Sequence, residues 1–290
     1  MTPEEYRAYR KTVRTVHGEV LCADVGEGPA TLFVHGVGTG GYLWRNVIGA
    51  LKGERRCVAI DLPLHGLTPA APGQDFSLPA LAEFVEDFCE ALGLAEVDLV
   101  ANDTGGAVCQ ILAANHPGRL RTLTLTNCET HDNVPPQAFK PTVWLARSGM
   151  LTLLGPLLAR RPALARKRVV GSGYEHPERL GDETIRAYLE PVLGTRKASR
   201  EFARFLTSLR ARDLLAVEPA LKKLEVPTLV VWGTGDVFFE VKWAYWLRDT
   251  IPGVTEVVEL DGGRLFFPDE RAEELVPYLR RHWSVCEYAA

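Results

Sequence analysis

No two cysteines of this 290-residue chain are spaced as C-x-x-C, and no histidines form H-x-x-H or H-E-x-x-H. The six cysteines, Cys22, Cys57, Cys89, Cys109, Cys128 and Cys286, are scattered. That argues against a disulfide framework or a metal site and predicts buried free thiols, with no metal and no cofactor. No apolar stretch approaches the roughly 18 residues of a membrane span, and the start, MTPEEYRAYRKTV, lacks the apolar core of a signal peptide. A cytoplasmic location is the expectation. Neither sign of charge dominates, since 33 Lys and Arg against 37 Asp and Glu leave a net charge of -4. With no aromatic-basic module either, a nucleic-acid partner is not expected, and neither is a membrane. A small-molecule substrate is, in a monomer or homodimer.

What is present is an alternation. Short apolar runs bounded by turn residues recur as ATLFVHG, RCVAIDLP, VDLVAND, RTLTLTNCE, PTLVVWGTGD and VTEVVELDGG. Between them lie helical patterns such as LPALAEFVEDFCEALGL, where Leu81, Phe84, Val85, Phe88 and Leu92 share one face. Two N-terminal runs, near Val13–Val16 and Glu19–Asp24, read as an antiparallel hairpin. The pattern predicts an α/β fold with a mostly parallel, eight-stranded sheet flanked by helices.

One region breaks the alternation. Residues 133–215 contain no convincing strand, only helical pattern punctuated by VPP, GP, RRP and GSG, and read as a helical cap inserted into a core of residues 1–132 and 216–290. From Lys140 to Leu215 there are fifteen Lys and Arg and seven Asp and Glu, a net +8, which leaves -12 for the rest. Short surface helices carrying their charges outward account for this. A cap whose field attracts an anionic substrate is the alternative.

In an open α/β sheet ligands bind at the carboxyl ends of the strands, so the strand exits carry the chemistry. The Val97 run ends in Ala101-Asn102-Asp103-Thr104-Gly105-Gly106 and passes directly into GAVCQILAANHP. Small residues two before and two after Asp103 are what a tight strand-to-helix elbow needs. Other exits present His35-Gly36-Val37, Asp236, and the Glu129, His131 and Asp132 of TNCETHDNVPP. Phe238 and Phe239 open FFEVKWAYWLRDTIPG, which reads as a helix packed on the sheet with these two phenylalanines nearest the pocket.

With an Asp elbow, the segment HGVGTGGYLWRNVI and the cap, the chain resembles an α/β-hydrolase of the haloalkane dehalogenase and epoxide hydrolase branch over nearly its whole length. The resemblance implies Asp103 as the nucleophile that attacks carbon and forms an ester, Asp236 as the triad acid, and the N–H groups of Val37 and Thr104 as the oxyanion hole. It also implies a supporting role for His35 and offers Trp144 of the cap as a donor to a leaving group, while His35 itself, Glu129, Phe238 and Phe239 are candidate substrate contacts from their places at the strand exits.

The departures are specific. The halide-holding Trp and Asn of dehalogenases are replaced by Thr104 and Val37, so halide release is poorly served. The triad His is replaced too: in LDGGRLFFPDERAEEL, Arg264 occupies its place, and an arginine cannot take a proton from water. His131 is the candidate displaced base, against a plain role in a polar hinge between core and cap. Arg264 is expected to lie between Asp103 and Asp236, as a neutralising cation or as a clamp for an anionic substrate. Three readings stay open: a hydrolase-like enzyme, best suited to epoxides, with water activated by His131 or a carboxylate such as Glu129 and with Tyr174 or Tyr188 as proton donor; a non-hydrolytic enzyme (elimination, isomerisation or decarboxylation) with Asp103 as general base; and an inactive binding protein.

Overall fold

A computed structural model describes residues 1–287. Its sheet has eight strands: β1 (Arg10–Thr15), β2 (Gly18–Val25), β3 (Ala30–Val34), β4 (Arg56–Ile60), β5 (Val97–Asn102), β6 (Leu120–Thr126), β7 (Thr228–Gly233) and β8 (Val254–Leu260). All six apolar runs and both arms of the hairpin are strands. Their spatial order is β1-β2-β4-β3-β5-β6-β7-β8, with β2 antiparallel to both its neighbours and every other pair parallel. Every residue of β5 and β7 is buried, as expected of strands covered by helices on both faces.

The order places the site. From β3 the chain turns to β4 on one side, and β5 then pairs with the other side of β3. Connections leaving a strand in opposite directions open a crevice at its carboxyl end. His35-Gly36-Val37 and Asp103 leave β3 and β5 at that crevice.

The helix Leu78–Ala91 starts at Ser77, whose hydroxyl accepts from the N–H of Ala80, and buries Leu81, Phe84, Val85 and Phe88 on the predicted face. Cys22, Cys57, Cys89, Cys109 and Cys128 are buried free thiols, while the side chain of Cys286 lies outside the described residues.

Helices from Lys140 to Ser208 form the cap, including Lys140–Arg147, Met150–Ala159, Asp182–Leu193 and Arg196–Ser208. The expected boundary at 215 needs correction. It falls inside the helix Ala211–Leu221, which packs on the core helices Leu78–Ala91 and Thr104–Asn115. A helical pattern reports that Leu214 and Leu221 are buried, not against which partner. The aromatic segment is corrected too: its helix spans Lys242–Thr250, because Asp236 accepts the N–H of Phe238 at 2.8 Å and holds Phe238 and Phe239 in the preceding turn.

Candidate active site

Asp103 stands between β5 and the helix Thr104–Asn115 with φ 57° and ψ -137°, a conformation that L-residues rarely adopt. Close packing enforces it. A Cβ on Gly105 would lie 2.4 Å from the carbonyl oxygen of His35, and one on Gly36 would lie 2.3 Å from Oδ2 of Asp103. The Gly105 requirement was readable from the elbow spacing. That of Gly36 was not, because it arises across the crevice.

The main-chain N–H of Val37 donates to Asp103 Oδ2 at 2.8 Å, and the N–H of Thr104 also points to this carboxylate. Two main-chain N–H groups therefore face the Asp103 carboxylate. Behind them, His35 sits wholly buried between the carbonyl of Gly36 (2.8 Å) and the N–H of Leu62 (3.0 Å), and His65 accepts from the N–H of Gly38. Burial lowers His35 to about 4 and His65 to about 3, so both are neutral braces of the loop. His35 is thus corrected from substrate contact to scaffold, since its ring nitrogens are already engaged.

Glu129, leaving β6, is 2% exposed. Its Oε1 accepts from the hydroxyl of Thr104 at 2.8 Å, while Oε2 is buried with no partner. Burial pushes its carboxyl up to about 7. Asp236, leaving β7, keeps partial exposure; Asn127 donates to its Oδ2 at 2.7 Å, and burial raises it to about 6. Asp103 is pushed well above the usual carboxylate range, first by burial and then by the charges of Glu129 and Asp236, against the pull of the two N–H donors. Three carboxyls sharing one apolar crevice do not all ionise near neutrality, so at least one proton is retained there.

Over them lies a cavity of about 400 Å³. Asp103, Glu129 and Val37 form its polar floor, Phe238, Phe239, Leu265 and Phe266 one wall, and cap residues such as Leu145, Leu158 and Phe202 its roof. An apolar chamber with a few convergent polar groups is the usual form of a small-molecule site.

Several expectations fail here, each for a local reason. Arg264 forms no ion pair with the acids: among the described residues it pairs with neither Asp103 nor Asp236, its Nη1 donates to the carbonyl of Ser172 in the cap at 3.4 Å, and only its charge reaches Asp236, which it lowers against the effect of burial. Its neighbours are pinned, Leu265 O by Asn102 Nδ2 at 2.9 Å and Phe266 N by Gly173 O at 2.8 Å, so Leu265 and Phe266 face the cavity while residue 264 turns away. His131 does not line the cavity either. Its Nδ1 pairs with Glu218 at 2.9 Å and its ring lies against Trp246, which makes it the polar hinge and not a base. Trp144 is 65% exposed on the outer face of its helix, whose inner face presents Thr142 and Leu145 to the cavity. The hydroxyl of Tyr174 donates to Asp269 at 3.1 Å and that of Tyr188 accepts from Arg45 at 3.3 Å, so both belong to a buried core-to-cap network centred on the Arg45–Asp269 ion pair at 2.8 Å. Among the described residues no cation lies on the cavity floor, and the exposed Arg168 is the one basic group lining the cavity.

An Asp elbow at a switch point, two main-chain donors and a helical roof define one class of protein. Residues 29–271 match the family described as alpha/beta hydrolase fold, and the chain belongs to it. Within the family its relatives lie in the haloalkane dehalogenase and epoxide hydrolase-like branch. Haloalkane dehalogenase 2 of Mycobacterium tuberculosis is 26% identical over 287 residues, covering 94% of each chain. A cis-3-alkyl-4-alkyloxetan-2-one decarboxylase of Shewanella oneidensis is 24% identical, over 91% of this chain and 85% of its own. The fold is shared with haloalkane dehalogenase DbeA from Bradyrhizobium elkani (TM-score 0.83, 21% identity, 97% and 99% coverage) and with epoxide hydrolase CorEH (TM-score 0.76, 17% identity, 95% and 98% coverage).

Proposed function

We propose that the protein opens a small strained ether ring, an epoxide, on an apolar substrate, with Asp103 as nucleophile and Glu129 as proton carrier. The observation that carries this reading is the division of the Asp103 carboxylate: Oδ2 is held by Val37 N–H at 2.8 Å, while the side chain faces the cavity that also holds the unpartnered Oε2 of Glu129. In the reactive form Asp103 is ionised, held by the main-chain N–H groups of Val37 and Thr104, and Glu129, whose Oε2 has no partner, carries the proton.

Oδ1 of Asp103 attacks a ring carbon, the carbon–oxygen bond breaks, and the Glu129 proton passes to the ring oxygen. A hydroxyalkyl ester on Asp103 and a Glu129 carboxylate result. Glu129 then takes a proton from water as its oxygen adds to the ester carbonyl, and the oxyanion forms on Oδ2 beside Val37 and Thr104. Collapse returns the proton to the departing alkoxide, releases a diol and leaves one proton on the Asp103–Glu129 pair. An epoxide needs no halide site, which suits a chain with Val37 and Thr104 at those positions.

A second reading is supported by the oxetan-2-one decarboxylases among the relatives. A carboxylate that adds to a β-lactone ring carbon and departs again as carbon dioxide is lost requires neither water nor base, hence no triad histidine. Single turnover in ¹⁸O-water with an alkyl epoxide separates the readings. Label in Asp103 after diol release supports the ester route. Alkene formation from a β-lactone without label supports the second, and a ligand bound unchanged by both wild type and Asp103→Asn would leave only an inactive binder.

A further inference from the structure

The cap turns one apolar face to the cavity and another to solvent. On the helix Met150–Ala159, Leu151 and Leu158 line the cavity. Met150, Leu153, Leu154 and Leu157, at the i, i+3, i+4, i+7 spacing of a single helical face, are between 39% and 62% exposed, and Trp144 on the preceding helix is 65% exposed. Scattered exposed leucines need no explanation, but a continuous stripe does.

The charge around the stripe is equally one-sided. Residues 140–174 hold seven Lys and Arg and no Asp or Glu, while the remainder of the chain carries a net -11. Arg166 pairs with Asp182. Lys140, Arg147, Arg160, Arg161, Lys167 and Arg168 have no ion-pair partner among the described residues. An apolar helical face on a segment rich in unpaired cations, packed beside a helix with an exposed tryptophan, is the chemistry of a helix that lies in a lipid interface.

We infer that this face of the cap docks on an anionic phospholipid surface, with Trp144 and the outer leucines among the acyl chains and the basic residues at the headgroups. It lies on the bilayer and does not cross it. No single helix among the described residues is long and apolar enough to span, and the pair Gln137–Arg147 and Met150–Ala159, which would qualify together, is bent by 107°. A second copy of this chain is the poorer occupant, because pairing through the same face would oppose two sets of unpaired cations. The mouth of the cavity gives the docking a purpose: Arg168 and Val169 are both exposed and cavity-lining, so an apolar substrate enters from the lipid without passing through water. The expectation of no membrane partner, drawn from the lack of a spanning run, does not extend to such a surface. This inference does not depend on the chemistry proposed for Asp103.

The test is sedimentation with vesicles of phosphatidylcholine, with and without phosphatidylglycerol. Binding is expected only with the anionic lipid, falling at least tenfold at about 0.5 M salt, where the Debye length is roughly halved. The double variants Leu153→Ser/Leu157→Ser and Arg160→Gln/Arg161→Gln should each weaken it about tenfold or more, with circular dichroism and thermal melting unchanged. A vesicle-induced blue shift in tryptophan emission should disappear in Trp144→Phe. No binding to anionic vesicles, or binding that both double variants leave intact, overturns the proposal. So does a dimer in sedimentation velocity that Leu153→Ser/Leu157→Ser dissociates, which would assign the face to a second copy.

Discussion

Oδ2 of Asp103 lies 2.8 Å from the main-chain nitrogen of Val37, which divides one carboxylate into a half held by the backbone and a half left for attack. In the proposed ester route the oxyanion forms on that oxygen, beside donors already in place.

Asp103→Asn keeps an oxygen for those donors and removes the nucleophile. Turnover should fall by about 10⁴-fold or more, and the covalent adduct seen by intact-protein mass spectrometry after epoxide exposure should vanish, while ligand binding persists. Residual turnover within about tenfold of wild type would rule Asp103 out as nucleophile.

Glu129 gives a pH signature. Its folded-state pKa of about 7 lies above the ordinary 4.5, so the stability it contributes is fully present below pH 4.5 and lost as pH rises through 7. Urea denaturation should show the wild type weakening by on the order of 3 kcal/mol from this group between pH 4.5 and 8. Glu129→Gln should decline less steeply and lose epoxide hydrolysis. Equal slopes in the two proteins would contradict the assignment.

Arg264→Gln removes the 3.4 Å contact with Ser172 O and the charge that lowers Asp236, so Asp236 should titrate higher while stability changes by no more than about 0.5 kcal/mol and the ester lifetime does not change. Arg264→His supplies a neutral base near Asp236 and should shorten the ester lifetime about 10² to 10⁴-fold, read by rapid quench and mass spectrometry. An unchanged lifetime would mean that the pinned Leu265 and Phe266 keep residue 264 turned to the cap.

The two glycines of the crevice should separate fold from function. In Gly105→Ala the new methyl meets backbone oxygens of His35 and Val34 at 2.4 and 2.7 Å, which cannot yield, so a loss of about 1–3 kcal/mol or more is expected in thermal melting. In Gly36→Ala it meets the Asp103 carboxylate, so adduct formation should suffer more than melting temperature does.

How much of this was legible in the sequence varies with how local the cause is. Strand runs and the elbow are written within a dozen residues each, and Ala101, Asp103 and Gly105 carry their own spacing. The orientation of Arg264 is not, because it is decided by Asn102 from another strand gripping Leu265 O. Trp144 is a case where composition misleads: its exposed neighbours one turn away are Lys140 and Arg147, and only that spacing, not the residue type, marks its side of the helix as the outer one. Glu129 was marked as a pocket residue, yet its link to Thr104 joins exits of adjacent strands and becomes visible only once β5 and β6 are paired.

The Arg45–Asp269 pair, with side chains 11% and 2% exposed, fastens the cap through Tyr174 and Tyr188. Asp269→Ala leaves a buried guanidinium without its partner and should cost about 3–5 kcal/mol. Limited proteolysis should then cut the cap before the core; uniform cleavage would argue against a tether.

Asp103 occupies a backbone conformation that costs an ordinary side chain on the order of 1–3 kcal/mol and glycine almost nothing. Laboratory selection for heat resistance alone would therefore replace it with glycine early, and a lineage that had abandoned the chemistry would drift the same way. Under the proposed mechanism, position 103 is in that sense an archive: an aspartate held there against that cost is what the ester route would require of a newly sequenced variant.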